Sequence, residues 1–233
     1  MPTAAAIVVA AGPGSRLGAA VPKAFVGLAG VPLVVRSLRA MLAVPAIESA
    51  VVVVPPDYLE RGRATLGAAG PWPSAVTVVI GGAQRQDSVR NGLAAVGEVD
   101  LIAIHDAARP FVSAAAIEAA LTAAAAHGAA IVSTPATDTI KQVAADGRIE
   151  HTPPRHSLWL AQTPQVFRSA LIRAAHAQAA AASISDATDD AVLVERLGAP
   201  VYVVPGNPEN RKITTAEDLR WAEWLLAHPA ARR

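Results

Sequence analysis

Short apolar runs alternate with helix-patterned stretches along most of this chain, and that alternation admits few folds. The runs fall at 4–10, 50–54, 76–80, 101–104 and 130–133, with a late one at 201–204. Helix-like stretches occupy 32–43, 86–96, 114–127, 168–182, 187–197 and 216–227. The last of these opens on Thr215 as a candidate N-cap, with Asp218 three residues on. Continuous runs rich in β-branched residues suit strands buried on both faces, which is the pattern of a parallel sheet rather than a half-exposed one. The fold class read from this is α/β: a mostly parallel twisted sheet with helices on both faces. The 233 residues are expected to form one domain over 1–233 with a large core. In such sheets ligands bind beyond the carboxyl ends of the strands, so the loops there matter most.

One segment breaks the pattern. Between Pro135 and Pro154 the sequence turns polar, with two short alternating runs on either side of Asp146-Gly147. That arrangement predicts a β-hairpin. A hairpin of this length has little core to bury and alone is marginal, so it is expected to lean on something else, such as a second subunit.

Composition removes several classes of function. Net charge is +1 and the charges are scattered, which favours neither nucleic acid nor a membrane surface. The long apolar runs hold alanines and are broken by His, Gly or Pro, so no transmembrane helix is expected. The N-terminus leads into a strand without the basic start of a signal peptide, and a cytoplasmic location follows. With no cysteine, disulfides, thiolate metal sites and cysteine nucleophiles are all excluded.

Chemistry is expected first at the end of the first strand. The run to Ala10 opens into Ala11-Gly12-Pro13-Gly14-Ser15-Arg16-Leu17-Gly18, and Pro22-Lys23 follows. A glycine-rich turn after a strand presents several backbone N–H groups at one point, and such a nest attracts phosphate. Arg16 and Lys23 add fixed positive charge, which suits a triphosphate better than a neutral ligand. Two familiar phosphate loops fail on spacing. Lys23 lies too far beyond Gly18 for a P-loop, and Leu17 stands where a dinucleotide fingerprint needs its third glycine.

A second cluster, His105-Asp106-Ala107-Ala108-Arg109-Pro110, follows the fourth strand. Its carboxylate can hold a divalent cation or a ribose, or form a turn, while Arg109 can neutralise a phosphate. His105 reads as a buried structural donor, because the histidines are scattered without metal-ligand spacing. No Gly-x-Ser-x-Gly elbow is present.

These motifs, taken with others in order, carry a resemblance. Gly81-Gly82-Ala83-Gln84-Arg85-Gln86-Asp87-Ser88-Val89 follows the first motif, and Asp138-Thr139-Ile140-Lys141 follows the Asp106 cluster. Leu158-Trp159-Leu160-Ala161-Gln162-Thr163-Pro164-Gln165, Thr188-Asp189-Asp190-Ala191 and Asn210-Arg211-Lys212-Ile213-Thr214 complete the series. The ordered set resembles the 2-C-methyl-D-erythritol 4-phosphate cytidylyltransferase family. The resemblance implies a Rossmann-like nucleotidyltransferase fold with a projecting β-arm, about 136–154, that interlocks two copies as a homodimer. It implies CTP and methylerythritol phosphate as substrates and Mg²⁺ as cofactor.

Site residues carried over by position follow from the same resemblance. Arg16, Lys23 and Lys212 would be catalytic, the first two on the CTP phosphates and Lys212 facing the reacting phosphate from the other side. Ala10, Ala11, Gly12, Gly14, Gly82 and Ser88, with Asp106, would bind the nucleotide. Asp106 would also hold the metal and meet the acceptor. Arg109, Thr163 and Thr188 would line the acceptor pocket, while Thr139 and Arg155 would reach in from the partner's arm. Trp159, Trp221 and Trp224 read as packing residues, in the core or at an interface.

The acceptor phosphate is itself an anionic nucleophile, since a monoester's second pKa is about 6, so no general base is required. Two rival readings use the same residues. One is a cytidylyltransferase for a pentitol phosphate such as ribitol 5-phosphate. The other is a non-catalytic nucleotide-binding module, against which Arg16, Lys23, Asp106 and Lys212 stand together.

Overall fold

Alternation along the first strand splits it between two apolar layers. In the computed structural model, which describes residues 2–12 and 21–228, Ala4–Val9 forms β1. Ala4, Ala6 and Val8 pack on one face and Ala5 and Ile7 on the other, as the two-residue period of a strand dictates. A two-strand ladder, β2 (Gly27–Leu28) with β3 (Val31–Pro32), leads into α1 (Leu33–Leu42). Then come β4 (Ile47–Val54), α2 (Leu59–Ala69), β5 (Ala75–Ile80), α3 (Arg85–Ala95), β6 (Leu101–Asp106), α4 (Ala114–His127) and β7 (Ala129–Pro135). The hairpin is β8 (Gln142–Val143) with β9 (Ile149–His151). The chain continues through β10 (Trp159–Arg168), α5 (Ser169–Ala181), α6 (Asp190–Arg196), β11 (Tyr202–Pro205) and α7 (Ala216–Ala227).

Seven strands form one sheet in the order β11-β7-β10-β6-β1-β4-β5. Every neighbouring pair is parallel except those of β10, which runs antiparallel between β6 and β7. Helices α1, α2 and α4 cover one face through Leu38, Met41, Leu66, Ile117 and Leu121. The other face is covered by α3, α5 and α6 through Val89, Leu93, Ile172 and Val194. The α/β class with a mostly parallel sheet is therefore the observed one. A third cluster of Leu28, Leu33, Phe111, Ile213 and Leu225 fastens α7 beside the sheet edge that carries the site loops. Among the described residues, no helix is long and apolar enough to cross a membrane.

Beside the short β2–β3 ladder, two longer elements depart from expectation. Helix α2 was not foreseen, because Gly62 and Gly67 weaken its intrinsic preference. Gly62 instead lets α2 approach the sheet, since a Cβ there would stand 3.2 Å from a Val54 methyl. Strand β10 was hidden by Pro164, which cannot donate to a ladder. Its pairing with β7 skips from Ala161 to Gln165, so 162–164 is released from regular pairing with that strand at the edge where the site forms.

The hairpin forms as expected, turning at Gly147 with φ of +86°. Its apolar residues Val143 and Ile149 are 50% and 55% exposed. Trp221 packs edge-on against Phe111. Trp159 and Trp224 are exposed rather than core residues, because both lie on outward faces of their elements.

Candidate active site

Three loops leave the sheet at one edge, and backbone hydrogen bonds hold them together. Ala10 N–H donates to the Val53 carbonyl (2.8 Å), Gly81 N–H to Val54 (2.7 Å) and Ala107 N–H to Val9 (3.1 Å). Between them lies a cavity of about 260 Å³. Ala10, Ala11, Gly12 and Lys23 line one side and Gly82 and Ser88 the other, with Asp106 and Lys212 also in the wall.

The N-terminus of α3 opens onto this cavity, which favours an anion there. That end is tightly closed on itself. Ser88 Oγ accepts from Gly82 N–H (3.1 Å) and donates to the Gln84 carbonyl (3.0 Å), while Gln84 N–H donates to Asp87 Oδ2 (3.1 Å). Glycine is needed at 82, since a Cβ would lie 2.2 Å from that of Asp87.

A second cavity, of about 250 Å³, lies beside the first and is lined by Arg109, Thr163 and Thr188, with Gln162, Gln165 and Asp189. Arg85, Asp106 and Lys212 line both cavities. The loop that carries Lys212 is fixed by the released segment of β10. Asn210 Nδ2 donates to Gln162 Oε1 and to the Thr163 carbonyl (both 2.9 Å), and Arg109 donates to the Asn210 carbonyl (2.8 Å). Ile213 N–H donates to the Ala108 carbonyl (2.9 Å), which fixes the residue after Lys212.

Asp106 is the electrostatic centre. Its Oδ2 lies 2.8 Å from Lys212 Nζ and 3.7 Å from Arg109 Nε, and its Oδ1 lies 3.6 Å from Arg85 Nε. Burial works against the charged carboxylate, yet Lys212 and Arg85, followed by Arg109, hold it well below the usual carboxylate range. The group is therefore ionised throughout the neutral and mildly acidic range.

Behind Asp106 runs a buried relay. Thr163 Oγ1 accepts from Asp106 N–H (3.0 Å) and donates to His105 Nδ1 (2.9 Å). His105 Nε2 meets the Arg109 carbonyl at 3.0 Å, an acceptor only, so the ring carries its proton on Nε2. Thr163 thus fixes the strand end that presents Asp106 as well as lining the second cavity.

Burial lowers the His105 pKa from the usual 6.5 to about 4, against the pull of Asp106 and the Arg109 carbonyl; the Arg109 charge acts with burial. Because the folded value is the lower one, neutral His105 stabilises the fold above pH 6.5, and that contribution fades as pH falls through 4. The loss amounts to about 3 kcal/mol at most. Denaturant unfolding of His105→Gln without added divalent cation is therefore expected to depend less steeply on pH between 6.5 and 4. An unchanged slope would show that His105 does not titrate there. Asp106 acts lower, its contribution being lost only below the ordinary value of 3.8.

The structure brings Ala10, Ala11, Gly12, Lys23, Gly82, Ser88, Asp106 and Lys212 to the first cavity, and Arg109, Thr163 and Thr188 to the second. Gly14 and Arg16 lie outside the described residues. Thr139 and Arg155 lie away from both cavities. Arg155 is exposed and donates to the Thr137 carbonyl (2.7 Å) at the base of the hairpin. Sequence reasoning gave no role to Arg85, Gln165, Asp189 or Asn210, although each sits inside a motif that carried the resemblance.

Comparison with known proteins agrees with this arrangement. Residues 4–228 match the family described as IspD, 2-C-methyl-D-erythritol 4-phosphate cytidylyltransferase. The chain is 46% identical over 227 residues to the protein of that name from Pelotomaculum thermopropionicum, covering 97% of this chain and 95% of the relative. It is similar in structure to the 4-diphosphocytidyl-2C-methyl-D-erythritol synthase of Anaerococcus prevotii, with a TM-score of 0.85, 29% identity and coverage of 97% and 99%. The 2-C-methyl-D-erythritol 4-phosphate cytidylyltransferase of Thermus thermophilus gives a TM-score of 0.75, 35% identity and coverage of 97% and 100%.

Proposed function

The chain belongs to the 2-C-methyl-D-erythritol 4-phosphate cytidylyltransferase family, and from that premise we propose how its residues carry the reaction. The enzyme transfers a cytidylyl group from CTP to 2-C-methyl-D-erythritol 4-phosphate, giving 4-diphosphocytidyl-2-C-methyl-D-erythritol and pyrophosphate. The assignment of residues rests on one observation: two adjacent cavities share Arg85, Asp106 and Lys212 in their walls. CTP occupies the first and the acceptor the second, so the α-phosphorus and the acceptor phosphate meet at that shared wall.

An oxygen of the acceptor phosphate attacks the α-phosphorus in line. The bond from that phosphorus to the bridging oxygen breaks, and pyrophosphate leaves with the electron pair. Since the nucleophile is already an anion, the obstacle is repulsion between phosphates rather than removal of a proton. Lys23 neutralises the triphosphate in the first cavity, and Arg16 is assigned to the same phosphates on sequence alone. Lys212 meets the charge that builds as the new bond forms, and Arg109 holds the acceptor phosphate. Cytosine and ribose are held by the backbone around Ala10, Ala11 and Gly82, with Ser88 setting the loop; Gly12 and Gly14 are assigned to the nucleotide as parts of the phosphate-attracting turn, Gly14 on sequence alone.

Magnesium fits Asp106. Among the described residues, no group of three or more His, Cys, Asp or Glu side chains is placed to hold a metal unaided. One carboxylate completed by substrate phosphates is the donor set magnesium commonly takes, and Asp106 lines both cavities. When bound, the ion supplies further positive charge to the phosphates.

The exposed Val143 and Ile149 support a homodimer in which each hairpin packs on the other copy and carries Thr139 and Arg155 to the partner's acceptor cavity. A cytoplasmic location accords with the nucleotide substrate.

Pyrophosphate release with CTP and Mg²⁺ is expected with methylerythritol phosphate and not with ribitol 5-phosphate. Release with ribitol 5-phosphate alone would reassign the acceptor, and silence with both would overturn the catalytic reading.

A further inference from the structure

Arg85 begins α3 at the wall between the two cavities, and no step of the proposed reaction uses it. Its guanidinium spans two carboxylates from different parts of the fold. Nη1 lies 2.8 Å from Asp190 Oδ2, and Nε lies 3.6 Å from Asp106 Oδ1. The two partners differ in kind. Asp106 faces the cavities, whereas the Asp190 side chain is 1% exposed and lies behind Arg85.

Three elements converge to hold Asp190. His176 of α5 donates from Nε2 to Asp190 Oδ1 (3.0 Å), and Gln165 of β10 accepts through Oε1 from the N–H groups of Asp190 (3.0 Å) and Ala191 (3.2 Å). Gln165 Nε2 in turn donates to Asp189 Oδ2 (2.8 Å), so the start of α6 is tied to the strand. Burying a carboxylate is costly unless it is paired, and the cation paired with this one reaches Asp106 on its other side.

The division of labour at Asp106 follows. Lys212 and Arg109 approach Oδ2, while Arg85 faces Oδ1. A planar guanidinium can bridge two carboxylates in a fixed direction, which a single ammonium cannot do.

We infer that Arg85 is a positioning residue for this reaction: anchored from behind by Asp190, it fixes the orientation of the Asp106 carboxylate between the two substrates. The inference rests on the proposed function of the site.

The test is steady-state kinetics on full-length wild type, Arg85→Gln, Arg85→Lys and Asp190→Asn, with thermal unfolding of each. Wild-type turnover with methylerythritol phosphate checks the functional reading by itself, and its absence would overturn that reading before any variant is compared. Given that turnover, Arg85→Gln is expected to lower kcat by about 10- to 100-fold, with KM for CTP and for the acceptor each within about threefold. Arg85→Lys should recover only part of the loss. Asp190→Asn, which keeps a polar partner for His176 but removes the anchoring charge, should lower kcat in the same direction by a smaller factor.

Unchanged kcat in Arg85→Gln would overturn the inference. So would a rise in acceptor KM at constant kcat, which would make Arg85 a grip on substrate rather than a support for Asp106. If Arg85→Gln does not fold, Arg85→Lys decides, and wild-type kcat in that variant would overturn the inference.

Discussion

Lys212→Ala is expected to lower kcat by about 100- to 1000-fold while the protein keeps its fold and its affinity for CTP. Lys212 lines both cavities, and its Nζ sits 2.8 Å from Asp106. Its side chain is 40% exposed, and without it the buried Asp106 still has Arg85 and Arg109 beside it, so the melting temperature should fall only modestly. What the charge does instead is meet negative charge at the point where one phosphate approaches another. That charge is greatest in the transition state, so the loss should fall on kcat rather than on the KM for CTP. Lys212→Arg, which keeps the charge but changes its shape, should recover part of the rate. Steady-state kinetics beside thermal unfolding make the measurement, and near-normal kcat in a folded Lys212→Ala would remove Lys212 from the mechanism.

The parts of this architecture that were legible in the sequence are those set by local pattern. The runs that became β1, β4 and β6 are apolar on both faces because both faces are covered, and the sequence carries that directly. Helix α7 begins where Thr215 and Asp218 predict, with Thr215 Oγ1 accepting from Asp218 N–H and Asp218 Oδ2 accepting from Thr215 N–H. Helix α2 and strand β10 were not legible, because tertiary contacts override what Gly62, Gly67 and Pro164 imply locally.

The same division applies to the site. Asp106 could be read from its place at the end of an apolar run. Arg85 could not, since its meaning comes from Asp190, Gln165 and His176, which only the folded chain brings to it. His105 reads as a structural donor in the sequence, and both its ring nitrogens are engaged in the structure. The Arg109 carbonyl is a local partner four residues on, whereas the contact with Thr163 depended on β10, the strand the sequence concealed.

Mixing two defective variants should restore activity that neither possesses, if the site is shared between copies. Lys23→Ala removes a charge from the first cavity, and Arg155→Ala removes one from the base of the hairpin. Within one copy Arg155 lies away from both cavities and donates to the Thr137 carbonyl, so a direct role in turnover requires a second copy to use it, and complementation separates that role from a loss of hairpin structure. Each homodimer would carry two damaged sites. In a heterodimer, one site would combine the intact Lys23 of one copy with the intact Arg155 of the other, and the second site would lack both. Random exchange puts half of the dimers in the mixed form with one good site in two, so about a quarter of all sites should recover. Activity of the equimolar mixture, followed after subunit exchange has been demonstrated by mass, is the measurement. Recovery toward that fraction would place Arg155 in the partner's acceptor cavity. No recovery, or an Arg155→Ala homodimer with wild-type turnover, would confine the site to a single copy and leave the hairpin a purely architectural arm.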